Sequence, residues 1–165
     1  MHAAVLDWVA RWAPASPCSV LDIGGRDVNG HPVPLFHDDT TWEVVDLVEG
    51  PRVTWVGDIL DHPGPGPYDV ALCLEVAEHT PAWPAIVTKA AELLDRTSGL
   101  FVLTAAGPGR APHSAVDGGE LRAGEHYANL DPSDLAGVLE DLFPQFVVDE
   151  TPGDVRAAAW FGERP

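Results

Sequence analysis

Acidic residues and glycines stand in this chain where apolar runs stop. Residues 20–30 read VLDIGGRDVNG, an apolar run that reaches Asp22 and then turns through Gly24, Gly25 and Arg26. Paired glycines after such a run suit the close approach of a small ligand, because glycine has no Cβ to exclude it and adopts positive φ. A second run, TWEVVDL, closes on Asp46 and Leu47, and a third, RVTWVGDI, closes on Asp58 and Ile59. A fourth, YDVALCLEV, runs on into AEH and gathers Glu75, Glu78 and His79. Asp46 lies 46 − 24 = 22 residues beyond Gly24, and a carboxylate there can accept hydrogen bonds from both hydroxyls of a ribose. Gly24, Gly25 and Gly30 lack the G-x-G-x-x-G spacing by which a helix N-terminus meets a pyrophosphate. A ribose-bearing ligand without phosphates fits these residues better than a dinucleotide.

Proton transfer calls for a side chain that titrates near neutrality, and His79, His113 and His126 are the candidate bases. The last two belong to residues 107–129, a Gly-rich polar stretch without hydrophobic periodicity that also carries Arg110 and Tyr127. Such a stretch in a compact domain reads as a lid or substrate loop, with Arg110, His113, His126 and Tyr127 as its binding groups. No H-x-x-x-H or H-E-x-x-H spacing occurs among the seven histidines, and His37 with Asp38 and Asp39 reads as a polar turn. No metal site is expected on that basis.

The elements that must position these groups follow from periodicity. Val5, Trp8, Val9 and Trp12 recur at helical spacing until Pro14, which predicts an opening amphipathic helix. CSVLDI, YDVALCLEV and GLFVLTAA contain continuous apolar stretches, the pattern of strands covered on both faces. Only VEGP separates the second and third strand candidates, too short for a crossover helix between parallel neighbours, so a helix should be missing there. Thr80 as cap and Pro81 in first position predict a helix whose stripe runs through Trp83, Ile86, Val87, Ala90, Ala91 and Leu94. Asp131 and Pro132 open another, with Leu135, Val138, Leu139 and Leu142 on one face. QFVVDETPGDVRAAAWFGE predicts an antiparallel hairpin about its Pro-Gly turn. The whole predicts one α/β domain over residues 1–165, a mostly parallel Rossmann-like sheet flanked by helices and ending in an antiparallel hairpin. Ligands of such sheets bind beyond the carboxyl ends of the strands, which is where the acidic residues fall.

Composition narrows the partners. The 165 residues are 45% hydrophobic, and nine Lys and Arg against 26 Asp and Glu give a formal charge of −17. That balance repels phosphate backbones, and no Lys or Arg run offsets it, which argues against nucleic acid as a partner. Cys18 and Cys73 each lie in strand-like runs and read as buried thiols of a reducing interior, not as a disulfide. MHAAVLDWVARWAP lacks a basic leader and a long apolar core, and no stretch reaches the roughly 18 apolar residues of a membrane span. A cytoplasmic protein with no membrane contact is expected.

In this order the segments resemble the class I methyltransferases that use S-adenosylmethionine. VLDIGG resembles their first strand with its acidic end and Gly-rich loop, Asp46 with Leu47 their ribose acid, and GDI, with Asp58 and Ile59, their adenine-side segment. DVALCLEVAEH resembles a family segment of the form DVVLCxEVxEH. Arg26 and Val28 stand where the family's G-x-G-x-G loop has its second and third glycines, which leaves Asp27 or Asn29 to contact the methionine ammonium or cap the turn. The resemblance implies a compact seven-strand fold with S-adenosylmethionine held by Asp22, Gly24, Gly25, Arg26, Asp46, Leu47, Asp58, Ile59 and Glu75. It implies methyl transfer to a small molecule or a protein, with the acceptor and the oligomeric state unidentified. Two other readings stand beside it: a domain of the same fold that binds the nucleoside cofactor or a partner without turnover, and a nicotinamide-dependent oxidoreductase, which the glycine spacing disfavours.

Overall fold

Apolar runs of strand length pair in register so that their carboxyl ends share one edge. The computed structural model describes residues 3–28, 30–64 and 66–163; the turn role expected of Asn29 lies outside the described residues. Among the described residues the strands are β1 (Ser19–Ile23), β2 (Thr41–Asp46), β3 (Trp55–Val56), β4 (Val70–Leu74), β5 (Leu100–Ala106), β6 (Gln145–Thr151) and β7 (Asp154–Trp160). They form one sheet in the order β3-β2-β1-β4-β5-β7-β6. The first five are parallel, and β7 runs antiparallel to both β5 and β6. The hairpin therefore does more than extend the edge, because its second strand lies inside the sheet. Every residue of β4 and β5 is buried, as continuous apolar runs require.

Alternation along the strands divides the core in two. Leu21, Ala71, Cys73, Phe101 and Leu103 face α2 (Trp83–Leu93) and α3 (Pro132–Leu142), packing with Val87, Ala90, Leu135 and Leu139. Val20, Val70, Leu72, Val102 and Trp160 face α1 (Ala3–Ala10), meeting Val5, Trp8 and Val9. The Asp131 carboxylate accepts the Ser133 N–H at 2.8 Å and Pro132 occupies the first turn, so α3 starts where its signals stand.

Two expectations are corrected. Thr80 does not cap α2; its hydroxyl takes the Ala82 N–H at 3.1 Å in the preceding turn, and the helix begins at Trp83 with Pro84 in its first turn. Pro84 meets the first-position requirement as well as Pro81 does, because an N–H there has no intrahelical partner. The third strand is only Trp55–Val56. Just before it, Thr54 takes over the pairing with β2, its N–H and hydroxyl both donating to the Val44 carbonyl, at 2.9 and 3.2 Å. A helix is absent between β2 and β3, as expected, and among the described residues between β1 and β2 there is likewise no α-helix but a 3₁₀ turn at Val33–Leu35. Cys18 is half-buried and Cys73 buried, and both are free thiols. Among the described residues, no helix is long and apolar enough to cross a membrane.

Leu139 is fully buried under α3 and Leu142 only partly. Leu139→Ala should lower the unfolding free energy by about 2–5 kcal/mol, and Leu142→Ala by less, as read from urea midpoints.

Candidate functional site

Parallel register sets Gly24 beside Asp46 and carries Glu75 and Asp58 to the same edge, since Ile23 pairs with both Val45 and Cys73 while Asp46 pairs with Val56. Two adjoining cavities open there. A smaller one of about 300 Å³ is lined by apolar groups of Ile23, Val45, Ile59 and Val76, with Asp46 and Asp58 at its walls. A larger one of about 790 Å³ lies between the β1 turn and residues 110–120. Gly24, Arg26, Glu75, His79 and Ala115 line both.

The turn between them tolerates no side chains. Gly24 has φ +71°, donates its N–H to the Val45 carbonyl at 2.7 Å, and an added Cβ would lie 2.4 Å from a Val76 methyl. A Cβ at Gly25 would lie 2.4 Å from the Asp22 carboxyl. Asp22 is itself buried, with His31 Nε2 2.9 Å from Oδ2 but off the axis of a hydrogen bond. Burial pushes the Asp22 carboxyl above its ordinary value, and the His31 contact draws it back. Asp46 accepts the Val48 N–H at 2.9 Å and Asp58 the Leu60 N–H at 3.0 Å, so both carboxylates are oriented by their own turns. Asp27 likewise caps its turn, taking the Gly30 N–H at 3.1 Å. Opposite, Glu75 holds a left-handed φ of +59° with its N–H on the Thr104 carbonyl at 2.8 Å. Such backbone strain in a non-glycine residue persists where the surroundings over-determine it.

A polar cluster closes the far side. Glu78 is fully buried; Oε1 takes the Ala106 N–H at 3.1 Å while Oε2 has no hydrogen-bond partner among the described residues. Burial, then repulsion by Glu75, pushes its carboxyl up to about 8. Among the described residues, Nδ1 of His79 and the hydroxyl of Tyr127 are also buried without a hydrogen bond of regular geometry, although the His126 backbone acts on the His79 ring. The His79, His113 and Tyr127 rings meet edge-on with centroids 5.0–5.6 Å apart. Burial, then His113, holds His79 below its ordinary value, which favours the neutral imidazole.

Residues 107–129 are anchored at both ends. Arg110 pairs with Asp154 of β7 and lies 3.5 Å from Glu75, Asn129 donates to the Arg110 carbonyl at 3.1 Å, and the Ala128 N–H reaches the Glu78 carbonyl at 2.8 Å. Between them Ser114 donates to Glu125 at 2.7 Å.

Of the residues picked from sequence, Asp22, Gly25, Arg110 and His113 line the larger cavity, and Asp46, Leu47, Asp58 and Ile59 the smaller. Gly24, Arg26, Glu75 and His79 belong to both. Tyr127 lines neither but packs on the two histidines. His126 is exposed and lines neither cavity, so it does not join the other candidate bases. His31 was not picked; its position directly after the glycine-bearing turn was the available signal. Val116, exposed yet lining the smaller cavity, was also missed, because nothing in an aperiodic segment marks which apolar residue reaches a cavity.

No protein-family model matches the chain and no curated protein matches it in sequence. Solved structures do match. A Burkholderia thailandensis 1,6-didemethyltoxoflavin-N1-methyltransferase with bound 1,6-didemethyltoxoflavin and S-adenosylhomocysteine is 19% identical, with TM-score 0.65 over 97% of this chain and 76% of that one. The magnesium protoporphyrin IX methyltransferase of Synechocystis PCC 6803, with bound S-adenosylhomocysteine, is 17% identical, with TM-score 0.61 over 96% and 81%. The YcgJ protein of Bacillus subtilis is 13% identical, with TM-score 0.70 over 98% and 100%. The chain has the class I methyltransferase fold that its sequence resemblance implied.

Glu78 keeps its proton in the native state up to about 8, whereas an unfolded glutamate loses it near the ordinary 4.5. The native state then binds the extra proton between these values, so stability is full below the lower one and falls as pH rises toward the upper. Thermal midpoints should decline from pH 5 to pH 8, and Glu78→Gln should flatten that decline.

Proposed function

We propose that the protein transfers a methyl group from S-adenosylmethionine to a small molecule or a side chain presented at the larger cavity. The observation that carries this reading is the shared edge of Gly24, Gly25 and Asp46, where a turn without Cβ atoms and an oriented carboxylate adjoin one apolar slot. Bound S-adenosylhomocysteine in similar folds supports it. The residues fit such a ligand. Ile23, Val45, Ile59 and Val76 suit an adenine, Asp46 a ribose diol, and the bare backbone at Gly24 and Gly25 the thread from ribose to sulfur. A second ground disfavours a dinucleotide, since among the described residues no α-helix follows the turn to receive a pyrophosphate.

When bound, the cofactor supplies a methyl carbon activated by a sulfonium. The chain's own task is then to hold the acceptor in line with that carbon and to keep water out. Glu75 and Asp22 place carboxyl groups near the cationic centre, and Glu75 is fixed there by its strained backbone and by Arg110. The wall formed by residues 110–120 bounds the acceptor side. An acceptor that carries a proton gives it up at the cluster of His79 and His113, where the neutral imidazole of His79 is the form that accepts. His126 takes no part.

S-adenosylhomocysteine at about 100 times its Kd should raise the melting temperature by about 5–10 °C, and reduced nicotinamide cofactor should leave it unchanged. No shift at saturation rejects the assignment. Asp46→Ala should weaken S-adenosylhomocysteine binding at least about tenfold by calorimetry, with an unaltered circular dichroism spectrum; wild-type affinity in that variant removes the ribose role.

A further inference from the structure

We propose that Glu78, His79 and His113 form a binding site for one divalent transition-metal ion of the zinc class, at the wall of the larger cavity where the acceptor would sit. Each residue offers one ligand atom, and these atoms all lie within 4.8 Å of one another. Two ligands at about 2.0–2.2 Å from a tetrahedral ion lie about 3.5 Å apart. The remaining gap, at most about 1.3 Å, is within reach of side-chain rotation, and His113 sits on a connecting segment and not on the sheet.

Two further observations point to a cation. Glu78 is completely buried, yet its Oε2 has no hydrogen-bond partner among the described residues, and His79 beside it, whose ring meets the His126 backbone, makes no regular hydrogen bond through Nδ1. Burying such atoms costs free energy unless something binds them. His113 Nδ1 lies 3.3 Å from the Ala111 carbonyl. A carbonyl only accepts, so this contact puts the proton on Nδ1 and leaves the lone pair of Nε2 outward, the arrangement by which a backbone carbonyl orients a metal-binding histidine.

Two imidazoles and one carboxylate suit zinc-class ions better than magnesium or calcium, which prefer all-oxygen shells. Three protein ligands leave a fourth position open for water or an acceptor oxygen. With an ion bound, His79 and His113 are engaged as ligands and no longer take the acceptor's proton as they do in the metal-free site; the ion would instead lower the pKa of a bound acceptor hydroxyl, whose proton passes to solvent. The oxygen lone pair then forms the bond to the methyl carbon while the carbon–sulfur pair returns to sulfur. The ion site stands on its own geometry; its role toward an oxygen acceptor rests on the methyl-transfer reading. Ion binding takes the carboxylate form of Glu78 and releases its proton, so the pH dependence given above is that of metal-free protein.

Chelator-treated, dialysed full-length protein titrated with Zn²⁺ by calorimetry, and with Co²⁺ by visible absorption, should take up one ion per chain. Glu78→Gln and His113→Ala should each weaken that uptake by about 100-fold or more and remove the Co²⁺ bands, while His37→Ala leaves both unchanged. Glu78→Gln keeps the side chain's size, and His113→Ala, outside the sheet, gives the same answer if Glu78→Gln fails to fold. Absence of one-equivalent binding, wild-type affinity in His113→Ala, or loss of binding in His37→Ala overturns the site. S-adenosylhomocysteine binding by His113→Ala should persist. If the wild type binds S-adenosylhomocysteine but no Zn²⁺, this inference falls and the methyl-transfer reading stands; binding of Zn²⁺ without S-adenosylhomocysteine gives the reverse.

Discussion

The bend after β1 depends on two Cβ positions staying empty. One is filled by a methyl of Val76 from the β4 side and the other by the carboxyl of Asp22 from within β1 itself. The backbone of one strand end is thus pressed between its neighbour and its own acidic side chain, with no van der Waals volume left for alanine. Everything that lines the cavities is referenced to this contact. Asp22 is held under the turn and meets His31, Val76 sets the entry of the strand leading to Glu75 and His79, and the Gly24 N–H ties the turn to Val45 next to Asp46. Rigid strand ends, and not the loops, therefore carry the precision of the site, which is how a scaffold holds reacting groups at fixed separations.

What the sequence made legible was whatever a local pattern encodes. Continuous apolar runs identified β1, β4 and β5, because a strand covered on both faces has no polar side to show. The Asp131–Pro132 start of α3 was readable because a cap acts within one turn. The placing of β7 between β5 and β6 was not, since no local signal distinguishes an inner from an outer hairpin strand. Thr80 and Pro81 looked like a helix start because Thr-Pro and Ala-Trp-Pro compete within a few residues, and the 3₁₀ turn at Ala77–His79 shifted the entry to Trp83. Among site residues, those at strand ends could be read by spacing from Gly24. Those in 107–129 could not, and His113 and His126 were equivalent until the bonds of Arg110, Ala128 and Asn129 set which one faces inward.

The lack of an α-helix among the described residues between β1 and β2 changes how one face of the sheet is covered. A crossover helix would ordinarily shield that side of β1 and β2. Here the 3₁₀ turn Val33–Leu35 with Phe36 and Trp42 does part of this, and α1 supplies the rest with Val5, Trp8, Val9 and Trp12. Large aromatic side chains compensate for lost length because each covers far more area than an aliphatic residue. The edge-on pairs Phe36–Trp42 and Trp8–Trp12 are the visible form of that substitution.

Trp8 in α1 donates its indole N–H to the Ala157 carbonyl of β7, and Trp12 packs on Trp160. The first helix in chain order is thereby seated on the last strand, and that strand is also an inner one. During synthesis from the N-terminus, α1 lacks the part of its floor formed by Ala157, Ala158 and Trp160, and β5 has an open edge, until residues near 160 leave the ribosome. Seating α1 on β7 closes a loop of about 150 residues before that contact is rewarded, so the parallel half of the sheet can pair first while the seat of α1 and the edge of β5 wait for the hairpin.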